Sequence, residues 1–229
     1  MTTGDAVLPD TAAFDVLHVL ALKGMAATDP LVAGARHARE DVLAELEKLR
    51  ADGLATHLER RGLWRVTPEG RARHAALLDE DLTGEDLTGE DGTHEDGTDD
   101  ARDRLRTGYE RFLPLNDRFK ELCTRWQLRD GVTNDHTDPA YDRARLDELD
   151  ALHEEAVPVV DRLTAVRPRF GRYTEGLTGA LTRLRGGEQQ AFTGVLCDSY
   201  HDVWMELHRD LLVSLKIERE TEERAGTPR

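Results

Sequence analysis

One short segment near the middle of the chain limits what the rest can fold into. Residues 79–100 contain 11 Asp and Glu residues, no Lys or Arg and almost no aliphatic side chains. The segment is a degenerate five-residue repeat, and it cannot bury enough apolar surface to offset the entropy lost on ordering. We therefore predict a disordered acidic linker over residues 79–100, with folded domains over residues 12–78 and 101–221.

The linker also explains most of the net charge of −15. It contributes −11, whereas residues 1–78 carry −1 and residues 101–229 carry −3. The folded regions are therefore nearly neutral, and the overall acidity does not exclude a nucleic-acid partner. Two roles remain open for the linker. It is either a solvated spacer, which we favour, or an acidic arm that competes with DNA for a basic surface.

Neither membrane insertion nor secretion is predicted. No apolar run approaches the length that spans a bilayer. The first residues, Met1 to Asp5, lack the basic start and apolar core of a signal peptide. Cys123 and Cys197 fall in different predicted helices, and we expect both to be reduced thiols. We predict a cytoplasmic protein that makes no membrane contact.

The region from Phe14 to Leu78 has a regular order of elements. The sequence predicts helices over residues 14–22, 30–35 and 38–51, strands over 54–58 and 63–66, and a last helix opened by Thr67 and Pro68. The turn between the strands, residues 59–62, is basic. Helices followed by a hairpin in this order predict a winged helix-turn-helix with three helices and a two-stranded wing. We expect Trp64 to pack in its core rather than stack on DNA.

Residues 101–221 are predicted to be helical throughout. Apolar side chains recur at helical spacing in several stripes, of which Leu115, Phe119, Leu122 and Trp126 form the first. Asp138 and Pro139 predict an N-cap and a first helical position, and Pro158 predicts a kink or a break. A final helix is predicted from about Gln189 to Arg219. Four or five amphipathic helices with short connections indicate a helical bundle, so the predicted fold class is mainly α.

The predicted DNA-reading helix, residues 38–51, has an acidic outward face. We expect Val42, Leu43, Leu46 and Leu49 to face the core of the domain. On the outward face one cation, Lys48, stands against four carboxylates, those of Glu40, Asp41, Glu45 and Asp52, which is unfavourable deep in a DNA groove. Basic side chains cluster instead at the start of this helix and on the wing. We predict DNA contacts by Arg36, His37, Arg39, Lys48, Arg60, Arg61 and Arg65. The alternative is that these arginines form an ordinary solvated surface and that the fold docks a protein.

The last predicted helix combines aromatic and histidine side chains on one face. Cys197, His201, Trp204 and His208 lie there at helical spacing. The histidines could simply fix helix register by pairing with carboxylates such as Asp117 or Glu154. A second interpretation is a small-molecule pocket, whose candidate ligand-binding residues are Trp126, Arg129, Tyr200, His201, Trp204 and His208.

A metal site is a third interpretation of this helix, built from His201, His208 and Glu206. Seven helical residues separate the two histidines by roughly 10.5 Å of rise, which is too far for one ion, and the HExxH spacing is absent. The phosphate-binding, nucleophile-elbow and dinucleotide glycine motifs are absent as well. We therefore predict no catalytic residues, no metal and no cofactor.

Several strings of residues resemble a known family. The elements from Phe14 to Leu78 resemble the winged helix of bacterial MarR-type regulators. The strings Phe112–Asp117, Trp126–Arg129, Asn134–Asp142 and Asp198–His208 are similar to a helical module that follows a winged helix in MarR-like transcriptional regulators. A similar module ends some phosphoenolpyruvate-utilising enzymes of the pyruvate phosphate dikinase type.

The resemblance implies a regulator that binds double-stranded DNA. Its helical C-terminal domain would bind a small-molecule effector or mediate homodimerisation, and no catalytic residues carry over. Two features depart from the MarR pattern: little sequence precedes Phe14, and the DNA-reading helix is acidic. The alternative function is a protein-interaction accessory factor whose winged helix docks a partner protein or enzyme.

Overall fold

The computed structural model describes residues 11–83, 97–195 and 197–217. The described chain is mostly helical, which confirms the predicted mainly α class. It divides into two compact units, Met1–Glu90 and Asp91–Arg229. Among the described helices, none is both long enough and apolar enough to cross a membrane.

The N-terminal unit packs four helices around a small sheet. Its elements are α1 (Thr11–Lys23), β1 (Met25–Ala27), α2 (Thr28–Ala35), α3 (Arg39–Ala51), β2 (Ala55–Leu58), β3 (Leu63–Val66) and α4 (Pro68–Thr83). The three strands are antiparallel in the order β1-β3-β2. The sequence predicted only β2 and β3, because β1 is three residues long and too short to show an alternating pattern.

One core joins the elements of this unit. Its fully buried side chains come from α1, α2 and α3, including Leu17, Leu20, Leu31 and Leu46, and Trp64 joins them from β3. Gly24 ends α1 with a φ of +71°, a left-handed conformation that glycine adopts without steric cost. Its N–H bonds the Leu20 carbonyl, so the chain can turn directly into β1.

The inward face of α3 differs from the prediction at two positions. Leu43 was expected in the core but is 38% exposed, whereas Glu45 was expected outside and is 7% exposed. The buried positions follow the spacing of Val42, Glu45, Leu46 and Leu49, which is one helical stripe. Glu45 tolerates this position because Lys48 pairs with its carboxylate from the next turn.

Helices extend into both ends of the predicted linker. Helix α4 continues to Thr83, and the first helix of the C-terminal unit begins at Gly97. The ends of the predicted 79–100 linker are therefore helical, and its central part, residues 84–96, lies outside the described residues.

The C-terminal unit is built on two long helices. Its elements are α5 (Gly97–Gln127), β4 (Leu128–Arg129), β5 (Val132–Thr133), α6 (Pro139–Val166), α7 (Gly171–Arg185), α8 (Gln190–Thr193) and α9 (Tyr200–Ser214). Strands β4 and β5 form a two-stranded antiparallel hairpin that the sequence did not predict. The predicted Asp138 cap is confirmed, since its Oδ1 accepts hydrogen bonds from the N–H groups of Ala140 and Tyr141.

The structure excludes a break at Pro158 and contradicts the single predicted final helix. Helix α6 continues through Pro158 without a break. The predicted final helix is divided into α8 and α9, because Ser199 starts a new helix by accepting a hydrogen bond from the Asp202 N–H. Cys197 therefore lies before α9 and does not share a helical face with His201 and Trp204.

Two helical glycines give a test of the packing. A Cβ at Gly70 in α4 would lie 2.1 Å from the Leu54 carbonyl oxygen, whereas a Cβ at Gly179 in α7 would meet nothing within 4 Å. We expect Gly70→Ala to lower the free energy of unfolding by about 1–3 kcal/mol through this overlap. The matched change Gly179→Ala should raise it by up to about 1 kcal/mol, because alanine favours helix.

Thermal and denaturant unfolding of the two variants measure these effects. Equal stabilisation by both alanines would contradict the close approach of α4 to Leu54.

Candidate nucleic-acid interface

The hairpin between β2 and β3 presents two neighbouring arginines. Arg60 and Arg61 lie in a single turn of 3₁₀ helix, Glu59–Arg61, and both are exposed. Gly62 closes the turn with a φ of +61°, and its N–H bonds the Glu59 carbonyl. The hairpin therefore places two guanidinium groups at its tip beside one carboxylate.

A third arginine lies on the outward face of the sheet. Arg65 alternates along β3 with the buried residues Trp64 and Val66, and Met25 and Thr56 are its neighbours on the adjoining strands. The Trp64 ring stacks on His57 with the centroids 4.5 Å apart. Trp64 is thus a core residue, as predicted, and Arg65 faces solvent.

These arginines have no carboxylate partner in the described parts of the chain. Arg60, Arg61 and Arg65 form no ion pair or side-chain hydrogen bond there. The same holds for the exposed Arg71 on α4, which lies two residues before Arg73, whereas Arg73 pairs with Glu80. Unpaired, exposed guanidinium groups keep their full capacity to bind phosphate oxygens.

Three of the predicted DNA-contacting residues near and in α3 differ from the hairpin arginines because they have carboxylate partners. His37 Nε2 lies 2.8 Å from Asp15 Oδ2, and Arg39 Nη1 lies 2.5 Å from Asp29 Oδ1. Lys48 pairs with the buried Glu45. These three candidates therefore contact carboxylates of their own unit. Arg36 is exposed and caps α2 in a left-handed conformation, with a φ of 60°.

The outward face of α3 is unsuited to a DNA groove. Its first turn carries Glu40 and Asp41, both exposed. Farther along, Glu47 pairs with Arg50 at 2.7 Å, and the exposed Leu43 lies between these charges. A helix that begins with two carboxylates repels phosphate, so the cationic surface of this unit is the hairpin and not α3.

In the C-terminal unit, Trp204 is part of the core. It is fully buried, and its Nε1–H donates a hydrogen bond of 3.0 Å to Asn116 Oδ1. The rings of Phe119 and Phe112 lie 4.6 and 5.0 Å from its ring. Residues of α5 thus accept the hydrogen bond of its N–H group and cover its ring.

Tyr200 and His208 are buried beside it. The Tyr200 hydroxyl lies 3.2 Å from His153 Nδ1, and burial raises the pKa of Tyr200 above its usual range. Burial also lowers the pKa of His153. His208 lies 5.5 Å from the Phe112 ring. Asp117 was predicted as a possible partner of His201 and His208, but it pairs with Lys120 instead.

Trp126 and Arg129 lie where α5 meets the short hairpin. The Trp126 ring packs against His136 at 4.5 Å and Phe192 at 4.8 Å. Arg129 pairs with Asp138 at 2.9 Å and stacks over the Tyr141 ring at 4.6 Å. Both side chains thus hold the connection between α5 and α6.

His201 is the one ligand candidate with an unsatisfied polar atom. Its Nδ1 is buried without a hydrogen-bond partner among the described residues, and the Nδ2 of Asn116 is in the same state. The His201 ring lies 6.2 Å from Phe119, which also contacts Tyr200 and Trp204. The structure therefore gathers His201, Tyr200 and Trp204 around Phe119 as a packed cluster.

Sequence analysis missed a buried carboxylate in α9. Asp210 is fully buried and accepts hydrogen bonds from Tyr173 and Ser214, with Arg169 and Arg172 each 3.6 Å away. Its position on the apolar stripe of α9 was the available signal, since a buried carboxylate requires such partners. Among the described residues, no three His, Cys, Asp or Glu side chains are arranged to hold a metal ion.

Comparisons with protein families, with curated proteins and with solved structures find no match to this chain. The resemblance to MarR-like regulators therefore stays a prediction.

Replacing Trp204 and Trp126 separately with phenylalanine tests whether Trp204 is a core residue. Trp204→Phe should cost about 1–3 kcal/mol more than Trp126→Phe, because it leaves the Asn116 oxygen buried and unpaired. The indole N–H of Trp126 donates no hydrogen bond to any described residue, so Trp126 is the matched control. Urea unfolding of both variants measures the difference, and equal costs would contradict the role of the Asn116 bond.

Proposed function

We propose that the N-terminal unit is a winged helix-turn-helix that binds double-stranded DNA and that the chain is a transcriptional regulator. The observation that supports this most is that the exposed arginines of the hairpin and Arg71 of α4 form no ion pair with any described residue. The order of helices and strands, with a hairpin before the last helix, is typical of winged helices.

The contact with DNA is mainly electrostatic. Arginines at a hairpin tip suit phosphate oxygens or the minor groove, whereas base reading in the major groove needs a helix face that tolerates nearby phosphates. Because Glu40 and Asp41 stand at the start of α3, we expect weak, salt-sensitive binding with little sequence preference from a single unit. Homodimerisation would double the number of contacts.

In this proposal the C-terminal unit assists DNA binding rather than contacting DNA. Most of its ligand candidates are packed in the core or paired with other residues of the unit, as described above. Effector binding by these residues stays a prediction from the sequence pattern, and homodimerisation stays a prediction as well.

A DNA titration tests the proposed function. We expect the double variant Arg60→Ala/Arg61→Ala to bind a labelled duplex at least tenfold more weakly at low salt. The slope of log affinity against log salt should fall by about 0.9 for each lost phosphate contact. Fluorescence anisotropy at several salt concentrations measures both quantities.

Arg50→Ala is the matched control, because Arg50 is also an exposed arginine of this unit but is paired with Glu47. Its affinity should stay within about twofold of the original chain. Equal losses in the two variants, or no binding by the original chain at low salt, would overturn the proposal.

A second function, docking of a partner protein, is favoured by one specific surface. The outward face of α3 combines the exposed Leu43 with the carboxylates of Glu40 and Asp41. An apolar side chain among acidic ones suits a basic amphipathic partner rather than phosphate.

Two results together would support this second function. They are the absence of DNA binding at low salt and loss of partner capture in Leu43→Lys but not in Arg60→Ala/Arg61→Ala.

A further inference from the structure

The groove between α5 and α6 contains two clefts that differ in charge. One cleft, of about 230 Å³, is lined from α5 by Arg104, Gly108 and Arg111 and from α6 by Arg162, Ala165 and Val166. We call it the arginine cleft. The other, of about 160 Å³, lies farther along the same helices and includes Arg118, Arg125 and Glu148.

Helix geometry brings the arginines of the first cleft together. Arg104, Gly108 and Arg111 lie on one face of α5, and two turns separate the arginines by about 10.5 Å. A Cβ at Gly108 would lie 2.5 Å from Leu163 Cδ2, so the absent side chain lets α6 approach closely. The floor of the cleft is consequently apolar and its rim is cationic.

The second cleft shows how the same helices neutralise arginines elsewhere. Arg118 and Arg125 have the same seven-residue spacing as Arg104 and Arg111. Arg118 makes two hydrogen bonds to Glu155, of 2.6 and 2.8 Å. Arg125 pairs with Glu148 at 2.5 Å. Every arginine of this cleft therefore has a carboxylate within reach.

Two of the three arginines of the arginine cleft have no such partner among the described residues. None of its lining residues is acidic, and Arg111 and Arg162 form no ion pair or side-chain hydrogen bond with any described residue. Asp103 and Glu110 precede Arg104 and Arg111 in sequence, but one residue turns a helix by about 100° and directs them to another face. Asp161 accepts a hydrogen bond from Thr174 of α7. Arg111 and Arg162 therefore bring two like charges to one cleft, and a bound anion would relieve the repulsion between them.

We propose that the arginine cleft binds a small phosphorylated molecule. Guanidinium groups bind phosphate oxygens in pairs of hydrogen bonds, and three of them surround this cleft. Gly108, Ala165 and Val166 supply an apolar floor for the organic part of the ligand. A volume of about 230 Å³ suits a phosphate ester of few carbon atoms rather than a polymer. This site is independent of the DNA contacts proposed for the N-terminal unit.

Calorimetric titration of the full chain with phenyl phosphate tests the proposal, with inorganic phosphate and phenol as separate probes. We expect saturable binding of phenyl phosphate to one site, weaker binding of phosphate and none of phenol. Arg111→Gln and Arg162→Gln should each weaken phenyl phosphate binding about tenfold or more. Arg118→Gln is the matched control, because it removes a paired arginine from the same groove and should change the affinity less than twofold.

Three results would overturn the proposal. They are no saturable binding by the original chain, retained binding in Arg111→Gln/Arg162→Gln, and an equal loss in Arg118→Gln. Because all three arginines are exposed, each variant should remain folded, and thermal unfolding checks this. Arg60→Ala/Arg61→Ala should bind phenyl phosphate normally, so failure of this site and failure of DNA binding are distinguishable.

Discussion

The carboxylate of Asp210 has no contact with water, and the packing of α7 against α9 depends on how it is neutralised. Tyr173 and Ser214 donate hydrogen bonds to it, while Arg169 and Arg172 bring positive charge to 3.6 Å. An isolated carboxylate in the same place would cost several kcal/mol, so these partners are required for the bundle to close. Burial raises the pKa of Tyr173, which keeps its hydroxyl a proton donor to Asp210.

Carboxylate partners also divide the surface arginines of both units into two groups. Where a carboxylate lies one helical turn away or on the facing helix, as for Arg50 and Arg118, the guanidinium is paired within the chain. Where no carboxylate holds such a position, as for Arg61 and Arg111, the guanidinium forms no ion pair with any described residue. Exposed pairs contribute little stability. Their main effect in this molecule is to determine which arginines are left without an ion pair among the described residues.

Local sequence signals predicted the parts of the fold that depend on local physics. The stripe of Phe119 and Trp126 and the cap at Asp138 follow from helix periodicity and backbone hydrogen bonding, and both are present. Strand β1 depends on its pairing with β3, and the end of α8 depends on the start of α9 at Ser199. Glu45 is buried and Leu43 is exposed, the reverse of the expectation, because the buried stripe of α3 includes Glu45. The pairing of Glu45 with Lys48, which makes this burial possible, cannot be read from the spacing of apolar residues.

The mixed aromatic and histidine face of α9 shows why a ligand pocket and a core look alike in sequence. Both place Trp and His at helical spacing, and both need polar partners for them. The partner of Trp204 is Asn116, which is 88 positions away in the chain. Once that bond is formed and Phe119 covers the ring, little of Trp204 is left for a ligand. The arginine cleft gave no comparable sequence signal, because Arg111 and Arg162 meet only when α5 and α6 pack together, and what marks the site is a missing carboxylate.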